Sequence, residues 1–373
     1  MKMKHTKALA AMFMAFALST SGYAGSKAGK TVKIRMIETT DVHGRFFPFD
    51  FINQQPTDGS LARVSAYVDS LRNIYGDRLL LMDAGDVLQG QPIVTYYNYV
   101  KTDAENIAAS VNNFMRYDVQ TMGNHDVETG HKVYDKWVKE LRCPTLGANI
   151  VSTATDTPYL KPYTIFKRDG VKIAVIGLIT PGVPSWLSEE LWSGLRFEDA
   201  VKTARKWMDE VKKKEHPDVV VGLFHTGIND SNKTNGLLND ATREIARQVP
   251  GFDVIFYGHD HSTHYEEVTS ADGSKTIIVN PANNAMKVAD AELEVSKKGR
   301  SKELKVNIVD MGKRSVDERY MKTFEKEIEE VKRYVGTEVG SFTQPMTSRD
   351  CYFGPSALVD FVHDVMLSTS GAE

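Results

Sequence analysis

Cysteine is scarce in this chain, which has two, Cys143 and Cys351, among 373 residues. Two isolated cysteines do not make a zinc cluster, and they exclude a disulfide-rich scaffold. Their wide separation is equally compatible with two thiols or with one incidental disulfide.

An excess of positive charge is also absent, because 46 Lys and Arg stand against 49 Asp and Glu, for a net charge of -3. A basic surface is what draws a protein to nucleic acid or to an anionic membrane. Neither a nucleic acid polymer nor a membrane surface is expected as a partner.

Long apolar runs are missing as well, since a bilayer span needs about 20 such residues. The run Ala8–Leu18 is about half that length; three lysines precede it, and the small residues Gly22 and Ala24 follow. A basic head, a short apolar segment and a small-x-small site are typical of a secretory signal peptide. We predict a signal peptide over residues 1–24, a periplasmic or secreted protein, and no stable membrane insertion.

Apolar runs alternate with helical patterns along the rest of the chain, without a repeat or a low-complexity linker. Several runs are continuously Val, Ile and Leu, which is typical of strands covered on both faces. This predicts an α/β fold with sheets inside and helices outside. The strand candidates are Val32–Ile37, Arg78–Met82, Val119–Met122, Val171–Leu178, Val219–Phe224, Val254–Tyr257, Thr276–Val279 and Ala289–Val295; the helix candidates are Leu61–Ile74, Ala104–Phe114, Lys132–Leu141, Glu198–Lys214, Asn239–Gln248, Asp317–Tyr334 and Ser356–Ser368.

Five polar clusters stand where strand candidates end. Each one alone is weak, because Asp or His at a strand end is often a turn residue or a helix cap. Together they are stronger, since functional groups collect at the carboxyl ends of strands in open α/β sheets. Alternate residues of an extended segment also point the same way, so D-x-H and H-x-H pairs can reach one ion. The clusters are Asp41 with His43, Asp83 with Asp86, Asn124 with His125 and Asp126, His225, and His259 with His261.

These side chains make a mixed set of carboxylates, imidazoles and one amide oxygen, which suits Zn²⁺, Mn²⁺ or Fe²⁺ better than Ca²⁺. Six or seven ligands are too many for one tetrahedral site. We therefore predict two divalent metal ions, with one Asp bridging them. Such a centre keeps positive charge that attracts a phosphate anion.

The ordered motifs D-V-H (41–43), G-D (85–86), G-N-H-D (123–126), H-T-G (225–227) and G-H-D-H (258–261) resemble the calcineurin-like metallophosphoesterases. The stretches Thr39–Gly44, Leu146–Ile150 and Gly177–Pro181 are similar to the periplasmic 5′-nucleotidase and 2′,3′-cyclic-nucleotide phosphodiesterase group. This resemblance implies a four-layer αββα sandwich as the catalytic domain, over residues 30–312. It further implies a linker helix at 315–338 and, at 340–373, the beginning of an incomplete C-terminal substrate-binding domain.

The resemblance also implies a role for each site residue. His125 would face the substrate phosphate and protonate the leaving oxygen, with Asp126 as support. Glu128 takes a position where the group often has Asp; it either pairs with His125 or is only a helix-start Glu. The metal ligands would be Asp41, His43, Asp86 and His261 for the first ion, and Asp86, Asn124, His225 and His259 for the second.

The activity implied is hydrolysis of nucleotides or other small phosphate esters, by attack of metal-bound hydroxide on phosphorus. Two alternatives stay open at this point. One is a 2′,3′-cyclic-nucleotide phosphodiesterase. The other is a metal-binding fragment without nucleotidase activity.

Overall fold

The computed structural model of the chain describes residues 31–296 and 301–372. The predicted signal peptide at 1–24 lies outside these residues. Twelve strands form two large sheets: β1 Thr31–Thr39, β2 Leu79–Asp83, β3 Val119–Thr121, β4 Thr145–Leu146, β5 Tyr163–Arg168, β6 Val171–Ile179, β7 Val219–His225, β8 Val254–Tyr257, β9 Thr263–Thr269, β10 Lys275–Pro281, β11 Lys287–Ser296 and β12 Lys302–Asp310.

Both sheets are mixed and have six strands each. The first has the order β12-β11-β1-β2-β3-β4, and the second has the order β9-β10-β8-β7-β6-β5. Strands β1 to β4 pair in parallel, as do β6, β7, β8 and β10, while the outer strands are antiparallel. The carboxyl ends of the central strands in each sheet consequently share one edge, which is where a site is expected.

The two sheets face each other across an apolar layer. Alternate residues of a strand point to opposite faces, and in β1 the inward set is Val32, Ile34 and Met36. Val221 and Leu223 of β7 join them from the second sheet. The continuous Val, Ile and Leu runs in the sequence thus reflect strands that are buried on both faces.

Helices cover the outer face of each sheet. Residues of Leu61–Tyr75 (α1), Ile107–Met115 (α3) and His131–Glu140 (α5) pack on the first sheet, and residues of Ala200–Glu215 (α7) and Thr242–Gln248 (α8) pack on the second. The expected four-layer αββα arrangement is therefore confirmed. The helices are α1 Leu61–Tyr75, α2 Pro92–Thr95, α3 Ile107–Met115, α4 Asn124–Val127, α5 His131–Glu140, α6 Val183–Trp186, α7 Ala200–Glu215, α8 Thr242–Gln248, α9 Glu318–Thr323, α10 Glu325–Val335 and α11 Ala357–Ser370.

Two predicted helices differ from the structure. The candidate Asp317–Tyr334 is broken at Phe324, which has φ -104° and ψ 14° and ends α9 before α10 starts. The candidate Asn239–Gln248 begins only at Thr242. Asn239 and Asp240 are held in a loop instead, because their side chains bond Asn232 of the preceding turn.

No helix among the described residues is long and apolar enough to cross a bilayer. The helix predicted near the C terminus forms as α11, and its Phe361, Val362 and Val365 are exposed. Short strands pair as Ile150–Ser152 with Thr157–Pro158 and Leu195–Phe197, Phe49–Asp50 with Gln55–Pro56, and Lys233–Thr234 with Leu237–Leu238; single turns of helix cover Gly76–Arg78, Tyr96–Val100, Glu189–Trp192 and Ser348–Tyr352.

Candidate metal centre

All five polar motifs lie at the carboxyl ends of central strands, and backbone hydrogen bonds hold the loops of the first two together. The amide of Asp41, after β1, donates to the Gly85 carbonyl at 2.9 Å. The amide of His43 donates to the Asp86 carbonyl at 3.0 Å. Motifs from the second sheet reach across to them, since the His259 amide donates to Asp41 Oδ2 at 3.0 Å. Residues more than 200 positions apart thus share one site.

The first predicted ligand set comes together as a tight cluster. Asp41, His43, Asp86 and His261 each offer one ligand atom, and these atoms lie within 4.8 Å of one another. His43 Nε2 lies 3.0 Å from His261 Nε2, which in turn lies 3.1 Å from Asp41 Oδ1. Such spacing lets four donors surround one ion.

The second set converges around Asn124 and shares Asp86 with the first. His225 Nε2 lies 3.0 Å from Asp86 Oδ2 and 3.1 Å from Asn124 Oδ1. His259 Nδ1 lies 2.9 Å from the same Asn124 oxygen. The two sets therefore meet at the Asp86 carboxylate.

The chemistry of these atoms fits a cation. His225 Nδ1 donates to the Ala84 carbonyl at 2.7 Å, so Nε2 faces the site, and in the neutral form of the ring this atom carries the lone pair. That lone pair faces two oxygens, from Asp86 and Asn124, which are acceptors as well. Acceptors in such contact need a proton or a metal ion between them. The donor set suits Zn²⁺, Mn²⁺ or Fe²⁺.

The pKa values in the centre show the same demand for positive charge. Burial disfavours the charged form of His225, yet the adjacent Asp86 carboxylate outweighs burial and raises the pKa of His225 to about 10. Burial raises the pKa of Asp86, but the His225 imidazole overcomes this and holds it well below its usual range. Asp41 behaves alike, because the hydrogen bond with His261 overcomes burial and lowers the pKa of Asp41. Without metal, protons take the cationic role.

His125 stands beside this cluster rather than in it. Its ring centroid is 5.5 Å from that of His43, and the side chain is 37% exposed, so a substrate can reach it. Its Nδ1 is paired with a Glu128 carboxylate oxygen, the first of the two possibilities for Glu128. Its backbone amide donates to Asp86 Oδ1 at 2.8 Å. His125 is therefore oriented from both ends, while its part in catalysis stays a prediction.

Asp126 is fully buried and contacts backbone only. Its Oδ1 accepts the amides of Val87 and Leu88 at 2.8 and 2.9 Å, and its Oδ2 accepts those of Asp86 and Gly123 at 2.9 and 2.8 Å. A carboxylate with four such bonds cannot also touch a substrate. Its carboxylate ties the loop after β2 to the turn after β3.

The backbone is strained at the ligands themselves. Left-handed φ values are uncommon for residues other than glycine and are concentrated at functional sites. Here five of the seven predicted ligands have them, with φ between 49° and 88°: Asp41, His43, Asp86, His259 and His261. The packing around the ligands enforces these conformations.

Two motif glycines make room for carboxylates. A Cβ on Gly123 would lie 2.2 Å from Asp86 Oδ1, and one on Gly258 would lie 2.4 Å from Asp41 Oδ2. Gly123 has an ordinary φ of -100°, so close approach rather than conformational freedom demands glycine there. The glycine of each motif thus accommodates the Asp of another.

Three further residues at the centre escaped the sequence reasoning. Asp240 Oδ1 lies 3.5 Å from His259 Nε2, and the Asn283 amide nitrogen lies 3.1 Å from His261 Nδ1. Trp186 stacks on His259 with ring centroids 5.5 Å apart and planes at 24°. Groups behind a ligand imidazole fix its orientation. No spacing rule links these residues to the H-x-H motif. Asp240 also lies in a stretch that the sequence predicts to be helical, whereas the structure has a loop at 239–241.

Comparison with known proteins agrees with this geometry. Residues 34–263 match the family model described as calcineurin-like phosphoesterase. The chain is 33% identical over 257 residues to the 2′,3′-cyclic-nucleotide 2′-phosphodiesterase/3′-nucleotidase of Haemophilus influenzae, covering 66% of this chain and 38% of that protein. It is 32% identical over 240 residues to the 5′-nucleotidase of Vibrio cholerae, covering 62% and 41%.

Among solved structures, the calcineurin-like phosphoesterase YfkN from Bacillus subtilis superposes with a TM-score of 0.72 at 25% identity, over 83% of this chain and 100% of that one. The chain spans about two fifths of the length of the curated relatives it matches (38% and 41%). The similarity therefore covers the region that holds every predicted ligand.

Proposed function

Because this chain belongs to the calcineurin-like phosphoesterase family, we propose that it is an exported, metal-dependent phosphoesterase that hydrolyses nucleotides at a centre of two divalent ions. The observation that carries the proposal is the set of acceptor atoms meeting at Asp86, within reach of an oriented His125. The named relatives act on nucleotides, which supports that substrate class.

Asp41, His43, Asp86 and His261 would hold the first ion, and Asp86, Asn124, His225 and His259 the second. When bound, two such ions supply positive charge to the phosphoryl group and lower the pKa of a water molecule. Zn²⁺, Mn²⁺ and Fe²⁺ all suit these ligands.

The chain's own residues supply orientation and a proton. A Glu128 carboxylate oxygen would accept a hydrogen bond from Nδ1–H of His125, which leaves Nε2 to face a bound phosphate ester. His125 would stabilise charge on the phosphoryl oxygens and then deliver the Nε2 proton to the leaving alcohol. Glu128 stabilises the imidazolium before that transfer, as a carboxylate does in a catalytic triad. Asp126 fixes the loop that presents Asp86.

A cyclic-nucleotide phosphodiesterase remains a second candidate, favoured by the similarity to the Haemophilus influenzae protein of that name. The same centre would serve both reactions, because each is attack on phosphorus with departure of an alkoxide. We further propose that residues 30–312 form the catalytic domain, that 315–338, which holds α9 and α10, is the linker, and that 340–373 begins a substrate-binding domain.

The test is phosphate release by the full chain loaded with Mn²⁺, from p-nitrophenyl phosphate and AMP, with 2′,3′-cyclic AMP hydrolysis measured in parallel. His125→Ala is expected to lower kcat by about 10²- to 10⁴-fold, the range of general acid catalysis, and to keep its metal. Bound metal with no turnover on any ester would contradict the proposed phosphoesterase activity and favour the alternative of a metal-binding fragment.

A further inference from the structure

We propose that Trp186 is a specificity-determining residue, a platform on which the planar group of the ester packs while its phosphate occupies the metal centre. This inference rests on the proposed function. The preferred substrates would be phosphate esters in which a short linker joins an aromatic ring to the phosphate, as in nucleoside monophosphates.

Trp186 differs from the other tryptophans in exposure. The chain has four, of which Trp137 is fully buried and Trp192 and Trp207 are partly buried. Trp186 is 43% exposed, although it lies directly against a predicted metal ligand. A large apolar ring open to water beside a polar centre is typical of a binding surface rather than of a core.

The ring is held in place before any ligand arrives. It lies over Gly182, where a Cβ would come within 2.6 Å of the indole Cη2 atom. The short helix α6 below it is closed by Ser185, whose hydroxyl donates to the Gly182 carbonyl at 2.6 Å, and by the Leu187 amide, which donates to the Val183 carbonyl at 3.0 Å. A fixed ring loses little conformational entropy when a ligand packs on it.

The position of the ring relates it to the reacting group. His259 is bounded by Asn124 at Nδ1, by Asp240 at Nε2 and by Trp186 on a ring face. The His259 imidazole alone therefore separates the indole from the two proposed metal ions. A planar group joined to the bound phosphate through a pentose would pack on the indole, and aromatic rings stack on nucleobases with little regard to sequence.

The helix α6, which carries the ring, is tied to a neighbouring hairpin. Ser185 Oγ lies 3.4 Å from Thr234 Oγ1, which also accepts the Asn239 amide at 2.9 Å. Asp240 follows in the same loop and faces His259. The hairpin of Lys233–Thr234 with Leu237–Leu238 thus supports both the platform and the ligand beside it.

A kinetic comparison separates a platform from a mere support of His259. For wild type, Trp186→Phe and Trp186→Ala, kcat and KM are measured with AMP and with glycerol phosphate, which has no ring. We expect Trp186→Ala to lower the AMP to glycerol phosphate ratio of kcat/KM about tenfold, equivalent to about 1.4 kcal/mol, mainly through KM. Trp186→Phe should keep most of the ratio. An equal loss on both esters, with weaker metal binding, would overturn the platform and make Trp186 a positioning residue for His259.

A binding measurement keeps the proposal testable if hydrolysis fails. Adenosine should quench tryptophan emission of the metal-loaded chain, and ribose should not. The quenching should vanish in Trp186→Phe but persist in the control Trp207→Phe, because Trp207 lies in α7 and its indole packs on Tyr163 of β5. Quenching without turnover on any ester would refute the phosphoesterase and retain the platform. Turnover without quenching, or quenching that survives Trp186→Phe, would refute the platform and retain the phosphoesterase.

Discussion

Asp126 gives the sharpest test of how this centre is built, and the change is Asp126→Asn. The native carboxylate is fully buried and accepts four backbone amides, two on each oxygen. Asn has nearly the same shape but only one oxygen. Whichever way its amide turns, two of the four N–H groups lose their acceptor and face another donor.

The magnitude follows from that count. A hydrogen bond to a charged group contributes about 1.5–3 kcal/mol, so two lost bonds amount to about 3–6 kcal/mol. A domain is stable by only about 5–15 kcal/mol. The loop that carries Asp86 should loosen first, because three of the four amides belong to Asp86, Val87 and Leu88. Metal affinity should therefore fall together with the free energy of unfolding.

Urea unfolding and calorimetric titration of Mn²⁺ measure the two quantities. Asp317→Ala is the control: this buried Asp caps α9 by accepting the amides of Arg319 and Tyr320 on one oxygen, and Ala removes that acceptor. It should lose stability and keep its metal affinity. The reasoning is refuted if Asp126→Asn unfolds within about 1 kcal/mol of wild type, or if it loses stability with unchanged Mn²⁺ affinity.

Three further outcomes are expected. Chelation of the metal should lower Tm, since an ion at 100 times its Kd adds about 2.7 kcal/mol; an unchanged Tm in differential scanning calorimetry would contradict the centre. Glu128→Gln should lower kcat about tenfold or more, because it removes the negative charge that stabilises the His125 imidazolium, with metal content unchanged by atomic absorption; an equal kcat would leave Glu128 without a part in catalysis. Asp50 should contribute to acid stability: hydrogen bonds from Asn53 and Ile52 outweigh its burial and lower its pKa to about 2. Its contribution is complete above its usual pKa of about 3.9 and disappears as the pH falls through about 2; Asp50→Asn should therefore be less stable than wild type at neutral pH and approach it in strong acid, and a difference that persists there would refute the assignment.

The layers of this fold could be predicted from the sequence because they depend on local patterns. Continuous apolar runs such as Val171–Leu178 require both sheet faces to be covered, and the structure covers them. The predicted metal ligands could be identified from the sequence for a related reason. Parallel strands bring their carboxyl ends to one edge, so clusters far apart in sequence had to meet there.

What could not be predicted depends on tertiary contact. Asp240 lies in a stretch with helical periodicity, and only bonds to Asn232 and to the Gly227 amide hold it in a loop beside His259. Trp186 had no recognisable spacing from the motif it stacks on. Phe324 ended a helix that its sequence would have continued, because the ring packs against Phe47 and Tyr320 in the core. In each case packing overrides local propensity.

The centre is the place where the chain departs furthest from the rules it follows elsewhere. Three features of the centre each cost free energy: left-handed backbone at residues other than glycine, buried carboxylates, and acceptor atoms in contact with one another. They coincide at Asp41 and Asp86, both buried and both in the left-handed region. Two sheets and the amides gathered by Asp126 keep these groups in place, so the ligand geometry is present before an ion binds. A cation resolves the contact between acceptors without moving them. On this reasoning a bound metal ion would add to the stability of the fold, and the strained backbone at Asp41 and Asp86 marks where it would bind.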